Sequence, residues 1–245
     1  MIASLVLAAL VWPASVTENC PNIEAESIKI VGVARNAGGQ FLYCEIIRPI
    51  DENQIDIDYT KDGKLFATKN INFKDSPHAP EITQLDIRSG EKREVSGDTN
   101  NLYLKYQPNK NKKMIQKKIA KKDIHVIDAG FDNFMRAHWN ELDDGRVLSI
   151  NFGSVVHQKN LSLLVRKQPS EKCAIKSEDN KNFTCFWVDI DNALLRLILG
   201  NIKLTYDQKY RLHQFNGVVN LQLDGDNQTA TISYFYSEDY KQNVQ

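Results

Sequence analysis

Several features that would assign this chain to a functional class are missing from its sequence. Lys plus Arg and Asp plus Glu number 31 each, so the net charge is +0 and no charge excess indicates a nucleic-acid partner. The chain has no Gly-x-Ser-x-Gly elbow, no Gly-rich phosphate loop, no His-Glu-x-x-His and no calcium loop. We therefore expect no nucleic-acid binding, no cofactor and no metal site, and a protein that is not an enzyme.

Cysteine is also scarce, with 4 residues whose spacing excludes a zinc knuckle. An even number fits an oxidising compartment. Cys173 and Cys185 flank a polar loop, so a hairpin would bring them face to face, and Cys20 and Cys44 are the remaining pair. We predict both disulfides, and the Cys20–Cys44 bond would contribute about 3 kcal/mol through loop entropy. The alternative is a cytosolic protein with four reduced thiols.

Long hydrophobic runs are limited to the first residues, where an apolar stretch from Met1 to Trp12 is too short to span a bilayer. Its length is typical of the core of a secretory signal. We predict a signal peptide over residues 1–17 and a single β-rich domain over residues 18–245, exported to the periplasm, with no transmembrane span in the mature chain. A buried N-terminal strand or helix is the alternative.

Most of the chain alternates apolar and polar residues over short stretches separated by turn residues, which predicts β-strands. The clearest hairpin joins residues 54–59 to residues 65–73 across Lys61-Asp62-Gly63. Roughly a dozen such strands predict an α+β protein that is mainly antiparallel β, with a curved sheet or incomplete barrel.

One amphipathic helix is predicted over about residues 129–143 to cover this sheet. Its apolar residues recur at helical spacing and share one face: Phe131, Phe134, Met135, Trp139 and Leu142. Asp128 is placed to accept amide protons at the start of the helix, and Gly145 can adopt the left-handed conformation that ends it. Asn192 and Gly200 are placed to start and end a second short helix over residues 193–199.

The aromatic face of this helix gives the first functional hypothesis. Phe131, Phe134, Met135 and Trp139 would line a pocket for an apolar ligand or lipid in a non-enzymatic periplasmic or envelope protein. Any helix that covers a sheet has an apolar face of this kind, so we favour the interpretation that these four residues fill the core.

Two other classes of function stay open. An envelope hydrolase would use Asp128 and Asp132 with His125. His138 does not share a helix face with these aspartates, because it lies six residues beyond Asp132 and so about 120° away around the helix axis. An assembly or adaptor module would instead bind another envelope protein through exposed sheet edges.

Lysines crowd residues 105–122, which is the one local charge asymmetry of the chain: Lys105, Lys110, Lys112, Lys113, Lys117, Lys118, Lys121 and Lys122. This segment would contact anionic lipid head groups in one interpretation. In the other, which we favour, it is a solvated linker or helix face.

Several stretches together resemble an uncharacterised family of exported proteobacterial proteins: residues 59–70, Ala79-Pro80, residues 86–90, residues 128–134 with Trp139, Tyr206-Asp207 and residues 211–220. The resemblance spans about residues 25 to 236. It implies an envelope location and a single domain, and it supplies no site residue. More loosely, a strand-rich exported protein with one covering helix is similar to the incomplete barrels of bacterial lipoprotein and lipid carriers.

Overall fold

The computed structural model of the chain describes residues 12–173, 183–191, 201–223 and 226–240. The first eight strands are β1 (Ile30–Arg35), β2 (Phe41–Pro49), β3 (Gln54–Lys61), β4 (Lys64–Asn72), β5 (Glu81–Asp86), β6 (Glu91–Gly97), β7 (Asn101–Gln107) and β8 (Ile115–Ala120). The remaining strands are β9 (Leu148–Ser154), β10 (Lys159–Gln168), β11 (Thr184–Ile190), β12 (Ile202–Tyr206), β13 (Leu212–Leu223) and β14 (Asp226–Tyr236).

The helices of the described residues are short. They are α1 (Ala14–Thr17), α2 (Gly130–Ala137) and α3 (Trp139–Asp143), with 3-10 helices at Lys121–Asp123 and Ser170–Lys172. The predicted fold class is therefore confirmed: the described chain is mainly antiparallel β with a few short helices.

All fourteen described strands belong to one antiparallel sheet that does not close. The first strand, β1, pairs with the last, β14, from Ile30 opposite Tyr236 to Arg35 opposite Thr231. From this central pair the strands run outwards from β1 to β8 on one side and from β14 back to β9 on the other, so that β8 and β9 are the two edges. Since β8 and β9 follow one another in the chain, the segment between them connects the two edges of the sheet.

Part of this connection covers the β9 edge. The amides of His125 and Val126 donate to the Asn151 carbonyl at 2.9 and 3.2 Å, and the Gly153 amide donates to the Val126 carbonyl at 2.9 Å. These bonds satisfy backbone groups that an open edge would leave exposed. The same connection contains α2 and α3.

The structure divides the predicted helix over 129–143 into α2 and α3. His138, with φ −107° and ψ 19°, leaves the helical conformation between them. The predicted end is present: Gly145 has φ +87°, and the Arg146 amide reaches back to the Glu141 carbonyl at 3.0 Å. The second predicted helix, over 193–199, lies outside the described residues.

Alternation along the strands places one set of side chains inside the curve and the other outside. On β2, Tyr43 and Ile47 pack into an inner cluster formed by β1–β7 together with β13 and β14, whereas Cys44 and Ile46 pack outwards. A second inner cluster joins β9–β12 to α2 and α3. The turn between β3 and β4 agrees with its sequence, because Asp62 and Gly63 both have positive φ.

A third cluster lies on the outer face of β1 and β2. Trp12 and Val16, which belong to the predicted signal peptide, are buried in this cluster beside Val31 and Val33. The Trp12 indole also donates to the Ile23 carbonyl at 3.0 Å. The position at which a signal peptide would end stays a prediction.

Candidate functional site

A cavity of about 820 Å³ lies between the two inner clusters. Its volume is near the upper end of the range of about 300–1,000 Å³ for small-molecule sites. Inward-facing residues of β2–β4 form one apolar wall, and residues of β10–β12 form the other. These residues are Ile47, Ile55, Ile57 and Ile71 on the first wall and Leu161, Leu163, Val188, Ile202 and Leu204 on the second.

The cavity reaches the surface at its loop end. Asp51 and Glu52 after β2, Lys74 and Pro77 after β4, and Ala137 at the end of α2 all line it, and all are exposed to solvent. A ligand could enter between these two loops and the helix without unfolding the sheet.

Helix α2 forms part of the cavity wall, but only one of the four predicted ligand-binding residues faces the cavity. Phe131 lines it, whereas Phe134, Met135 and Trp139 do not belong to its lining. Phe134 and Met135 are buried in the second inner cluster. Trp139 packs edge-on against Phe186, with ring centroids 5.2 Å apart. The aromatic stripe of the helix thus packs largely into the core.

The backbone of the β4–β5 loop holds the start of α2 in place. The Ile127 amide donates to the His78 carbonyl at 2.9 Å, and the Asn133 side chain donates to the Pro77 carbonyl at 2.9 Å. A Cβ atom on Gly130 would lie 2.0 Å from the His78 carbonyl oxygen. Only glycine therefore allows the helix to approach the loop this closely.

A buried ion pair forms the inner end of the cavity. The Lys69 Nζ atom, on a residue that is 4% exposed, lies 2.7 Å from Oδ1 of Asp128. Asp128 has φ +46°, and its carboxylate also accepts from the Ala129 amide at 2.8 Å and the Asn220 side chain at 3.0 Å. Asp128 was expected to cap the helix, but the structure turns it inwards to bind groups from β4 and β13.

Glu45 lies in the same part of the cavity and is 8% exposed. The Tyr234 hydroxyl donates to its Oε2 atom at 3.0 Å. Burial raises the pKa of Glu45 to about 7, although Lys69 and the Tyr234 hydrogen bond act in the opposite direction. This carboxyl group therefore changes charge near neutral pH.

Two further tyrosines flank Glu45. Tyr43 precedes it by two residues on the same face of β2, and Tyr59 lies opposite it on β3. Their ring centroids are 6.0 Å apart in an edge-to-face arrangement, and both rings line the cavity. Burial raises the pKa of both hydroxyls well above the usual value, so both stay protonated at neutral pH.

A second polar group lies where α2 meets β12. The Tyr206 hydroxyl donates to Oδ1 of Asp132 at 2.9 Å, and Arg136 forms an ion pair with the other carboxylate oxygen. Burial raises the pKa of Tyr206 well above its usual value, and the neighbouring Asp132 adds to the effect. These groups satisfy one another, so they form a structural link between helix and sheet.

The residues of the predicted hydrolase site are not brought together. His125 is exposed, and its Nδ1 atom accepts a hydrogen bond from the Asn151 amide at 3.2 Å on the far edge of the sheet. Asp128 and Asp132 line the cavity, but each is engaged by a cation and by hydrogen-bond donors. Within the described residues, no three His, Cys, Asp or Glu side chains are grouped so that they could hold a metal ion.

Both predicted disulfides are present in the structure. Cys20 pairs with Cys44 and ties the segment after α1 to the outer face of β2. Cys173 pairs with Cys185 near the start of β11.

The lysine-rich segment contains the edge strand β8, which sequence analysis did not predict. Its central residues Gln116, Lys117 and Lys118 are exposed. Lysines on an edge strand oppose pairing with a second sheet, and the strand lacks the apolar alternation by which the others were found. Contact of this segment with anionic lipid stays a prediction.

The sequence analysis missed Glu45 and Lys69, although their positions contain a signal. Each is a charged residue at an inward position of a strand, Glu45 between Tyr43 and Ile47 and Lys69 between Ala67 and Ile71. A charge at a position that alternation assigns to the core is unusual and marks a candidate site.

The protein is thus an open, curved antiparallel sheet around a cavity whose inner end is polar. No family model matches the sequence, and no curated protein matches it. Among solved structures, the chain is similar to the crystal structure of a beta-barrel-like protein of domain of unknown function DUF1849 from Brucella abortus, with a TM-score of 0.52. The two are 4% identical in sequence, and the match covers 86% of this chain and 99% of the other.

At this level of identity, the likeness shows the fold alone. The neighbour is a proteobacterial protein of unknown function, which is consistent with the resemblance to an uncharacterised family. Among the helices of the described residues, none is long and apolar enough to span a bilayer.

Proposed function

We propose that this protein is a non-enzymatic binding protein of the bacterial envelope that holds an apolar ligand, such as the acyl chain of a lipid, inside its curved sheet. The observation that carries the proposal is the cavity of about 820 Å³ between the two inner clusters. Its isoleucine and leucine walls would remove an acyl chain from water, which is favourable by about 25 cal/mol per Å² of apolar surface.

Two further observations support this proposal. The exposed loop residues at one end of the cavity provide a route of entry. The two disulfides fit an oxidising compartment such as the periplasm, and the apolar N-terminal run fits export. By fold analogy alone, an open, curved sheet is similar to the incomplete barrels of bacterial lipoprotein and lipid carriers.

Filling the cavity tests the proposal. Ile57 is 9% exposed and lines the cavity wall, so Ile57→Trp would occupy space that the ligand needs. We expect native mass spectrometry of the gently purified protein to show co-purified lipid, and we expect Ile57→Trp to reduce both this lipid and Nile red uptake by about tenfold, a change of about 1.4 kcal/mol.

The matched control is Ile87→Trp, because Ile87 is 55% exposed and does not line the cavity. This variant should take up ligand like the wild type. Near-UV circular dichroism would establish that both variants are folded, and Ile71→Phe provides a smaller filling of the same wall. A lipid-free wild type that takes up no Nile red would contradict the proposed function.

A further inference from the structure

Glu45 is a buried acidic residue with no paired cation among the described residues, unlike Asp128 in the same cavity lining and Glu91, which pairs with the lining residue Arg93. Asp128 pairs with Lys69 at 2.7 Å, and Glu91 pairs with Arg93 at 2.7 Å. No ion pair connects Glu45 to any described residue, and its one hydrogen-bond partner among them is the Tyr234 hydroxyl. Glu45 is nevertheless 8% exposed and lines the cavity.

The charges of this group do not balance when Glu45 is ionised. Three carboxylates, on Glu45, Glu91 and Asp128, then face two cations, on Lys69 and Arg93. A buried charge without a counter-charge is costly. A positively charged group in the cavity would compensate it, whereas the carboxylate of a fatty acid would add a second uncompensated negative charge.

The rings around Glu45 are also suited to a cation. Tyr43 and Tyr59 flank Glu45 on the cavity wall, and Tyr234 contacts its carboxylate from β14. Aromatic faces attract cations, and groups of aromatic rings with a carboxylate bind ammonium ligands. Tyr234 occupies one carboxylate oxygen, so the other is open to a donor from a ligand.

We propose that the ligand is an amphiphile with a positively charged ammonium head group, and that Glu45 binds this head group while the tail lies along the isoleucine wall. This inference rests on the proposed function and specifies its ligand class. Glu45 acts here as a binding residue: its carboxylate accepts a hydrogen bond from the ammonium group, which is stronger than a bond between neutral groups.

The binding should depend on pH. The groups that face Glu45 are Tyr43 on its own strand, Tyr59 on β3, Lys69 on β4, Asp128 before α2 and Tyr234 on β14. Burial raises the pKa of Glu45 to about 7, Asp128 adds to this, and Lys69 and Tyr234 oppose it. Glu45 is thus mostly neutral at pH 6 and mostly ionised at pH 8, so affinity for an ammonium group should rise between these values.

Isothermal titration calorimetry of the full chain with dodecylamine, dodecyltrimethylammonium, dodecanol and dodecanoate tests this proposal. The dodecylamine nitrogen, like that of lysine, stays protonated across this pH range. At pH 8 we expect the two cations to bind about tenfold or more tightly than dodecanoate, because their positive charge compensates the buried Glu45 carboxylate. Of the two, only dodecylamine carries N–H groups that can also donate a hydrogen bond to this carboxylate. Dodecylamine should bind about tenfold more weakly at pH 6, following the ionised fraction of Glu45.

Glu45→Gln keeps the size of the side chain and removes its charge, so it should abolish both the preference for cations and the pH dependence. Asp58→Asn makes the same chemical change on the outward face of β3, where Asp58 pairs with Arg48, and should leave both unchanged.

Two results overturn the proposal in different ways. If the four probes bind equally well, the cavity holds an apolar chain and the proposed function stands, but the head-group assignment is wrong. If no probe binds, both the head-group assignment and the proposed function are wrong. If Glu45→Gln does not fold, the affinity of the wild type for dodecylamine at pH 6 and pH 8 still tests the head-group assignment, because equal affinities would contradict it.

Discussion

At the scale of single residues, the interior of this protein combines apolar walls with charges that are almost fully buried. Lys69 and Asp128 form an ion pair, and Asn220 holds the second carboxylate oxygen of Asp128. Within the described part of the chain, the Glu45 carboxylate has a tyrosine hydroxyl as its partner and forms no ion pair. A buried ion pair contributes little net stability, whereas an uncompensated charge destabilises the fold. Glu45 should therefore make the stability depend on pH.

The sign of this dependence follows from the direction of the shift. The pKa of Glu45 is raised from 4.5 to about 7 in the folded protein, so the folded state binds its proton more tightly than the unfolded state. The free energy of unfolding should fall as the pH rises from about 4.5 to about 7, by about 3 kcal/mol for this group.

Urea denaturation at a series of pH values, for the wild type and Glu45→Gln, measures this contribution as the difference between the two curves. Asp58→Asn is the control, because Asp58 lies on the outward face of β3. A Glu45→Gln curve parallel to that of the wild type would show that Glu45 is not buried in its neutral form.

At the scale of elements, the position of helix α2 depends on one glycine. Gly130 lies at the start of the helix, where a Cβ atom would be 2.0 Å from the His78 carbonyl oxygen. Because the obstacle is backbone, a flexible side chain cannot move aside to relieve it. The helix can therefore contact the β4–β5 loop only if this residue has no side chain.

Gly130→Ala should destabilise the protein by about 2 kcal/mol, since overpacking against a fixed backbone forces the helix or the loop to shift. Thermal unfolding followed by circular dichroism measures the change. The control is Gly38→Ala in the exposed turn before β2, where the nearest atom to the new Cβ lies 3.4 Å away. Gly38→Ala should lower the free energy of unfolding by less than about 0.5 kcal/mol. Equal effects of the two substitutions would argue against the close contact at His78.

The two sheet edges are protected in different ways. The backbone of His125 and Val126 covers part of the β9 edge, and the exposed lysines of β8 oppose pairing at the other edge. An adaptor that binds through an exposed strand would need an edge without such lysines, so the β8 edge gives that alternative no support.

At the scale of the whole molecule, three clusters stabilise one sheet, two inside the curve and one outside. The outer cluster contains Trp12 and Val16, and the Cys20–Cys44 disulfide anchors the segment that follows them. Apolar residues before the disulfide thus cover the outer face of the central strands. This arrangement predicts that residues 12–17 remain in the folded protein.

Val16→Ala tests this prediction in full-length protein purified after export. Val16 is 0% exposed, so its truncation should lower the free energy of unfolding by about 2 kcal/mol. Thr17→Ala, at an exposed neighbour, should have little effect. If a signal peptide is removed after Thr17, the intact mass will show this and Val16→Ala will have no effect on the mature protein.

Local patterns in the amino-acid sequence were enough to predict several elements of the fold. Alternation predicted the strands other than β8, positive-φ turn residues predicted the β3–β4 hairpin, and Gly145 predicted the end of the helical segment. Cysteine spacing predicted the Cys173–Cys185 disulfide, and Cys20–Cys44 followed as the remaining pair. Each of these signals arises from residues close in the chain, so they can be recognised without knowledge of the fold.

The position of the site, in contrast, depends on how distant parts of the chain come together in the fold. Glu45, Lys69 and Asp128 come from β2, β4 and the connection between the sheet edges, and the curvature of the sheet brings them together. The tertiary structure also decided the role of the segment first predicted as one helix, whose aromatic residues pack mainly into the core while Phe131 faces the cavity. Such contacts depend on how far a sheet curves, and no short stretch of sequence specifies that.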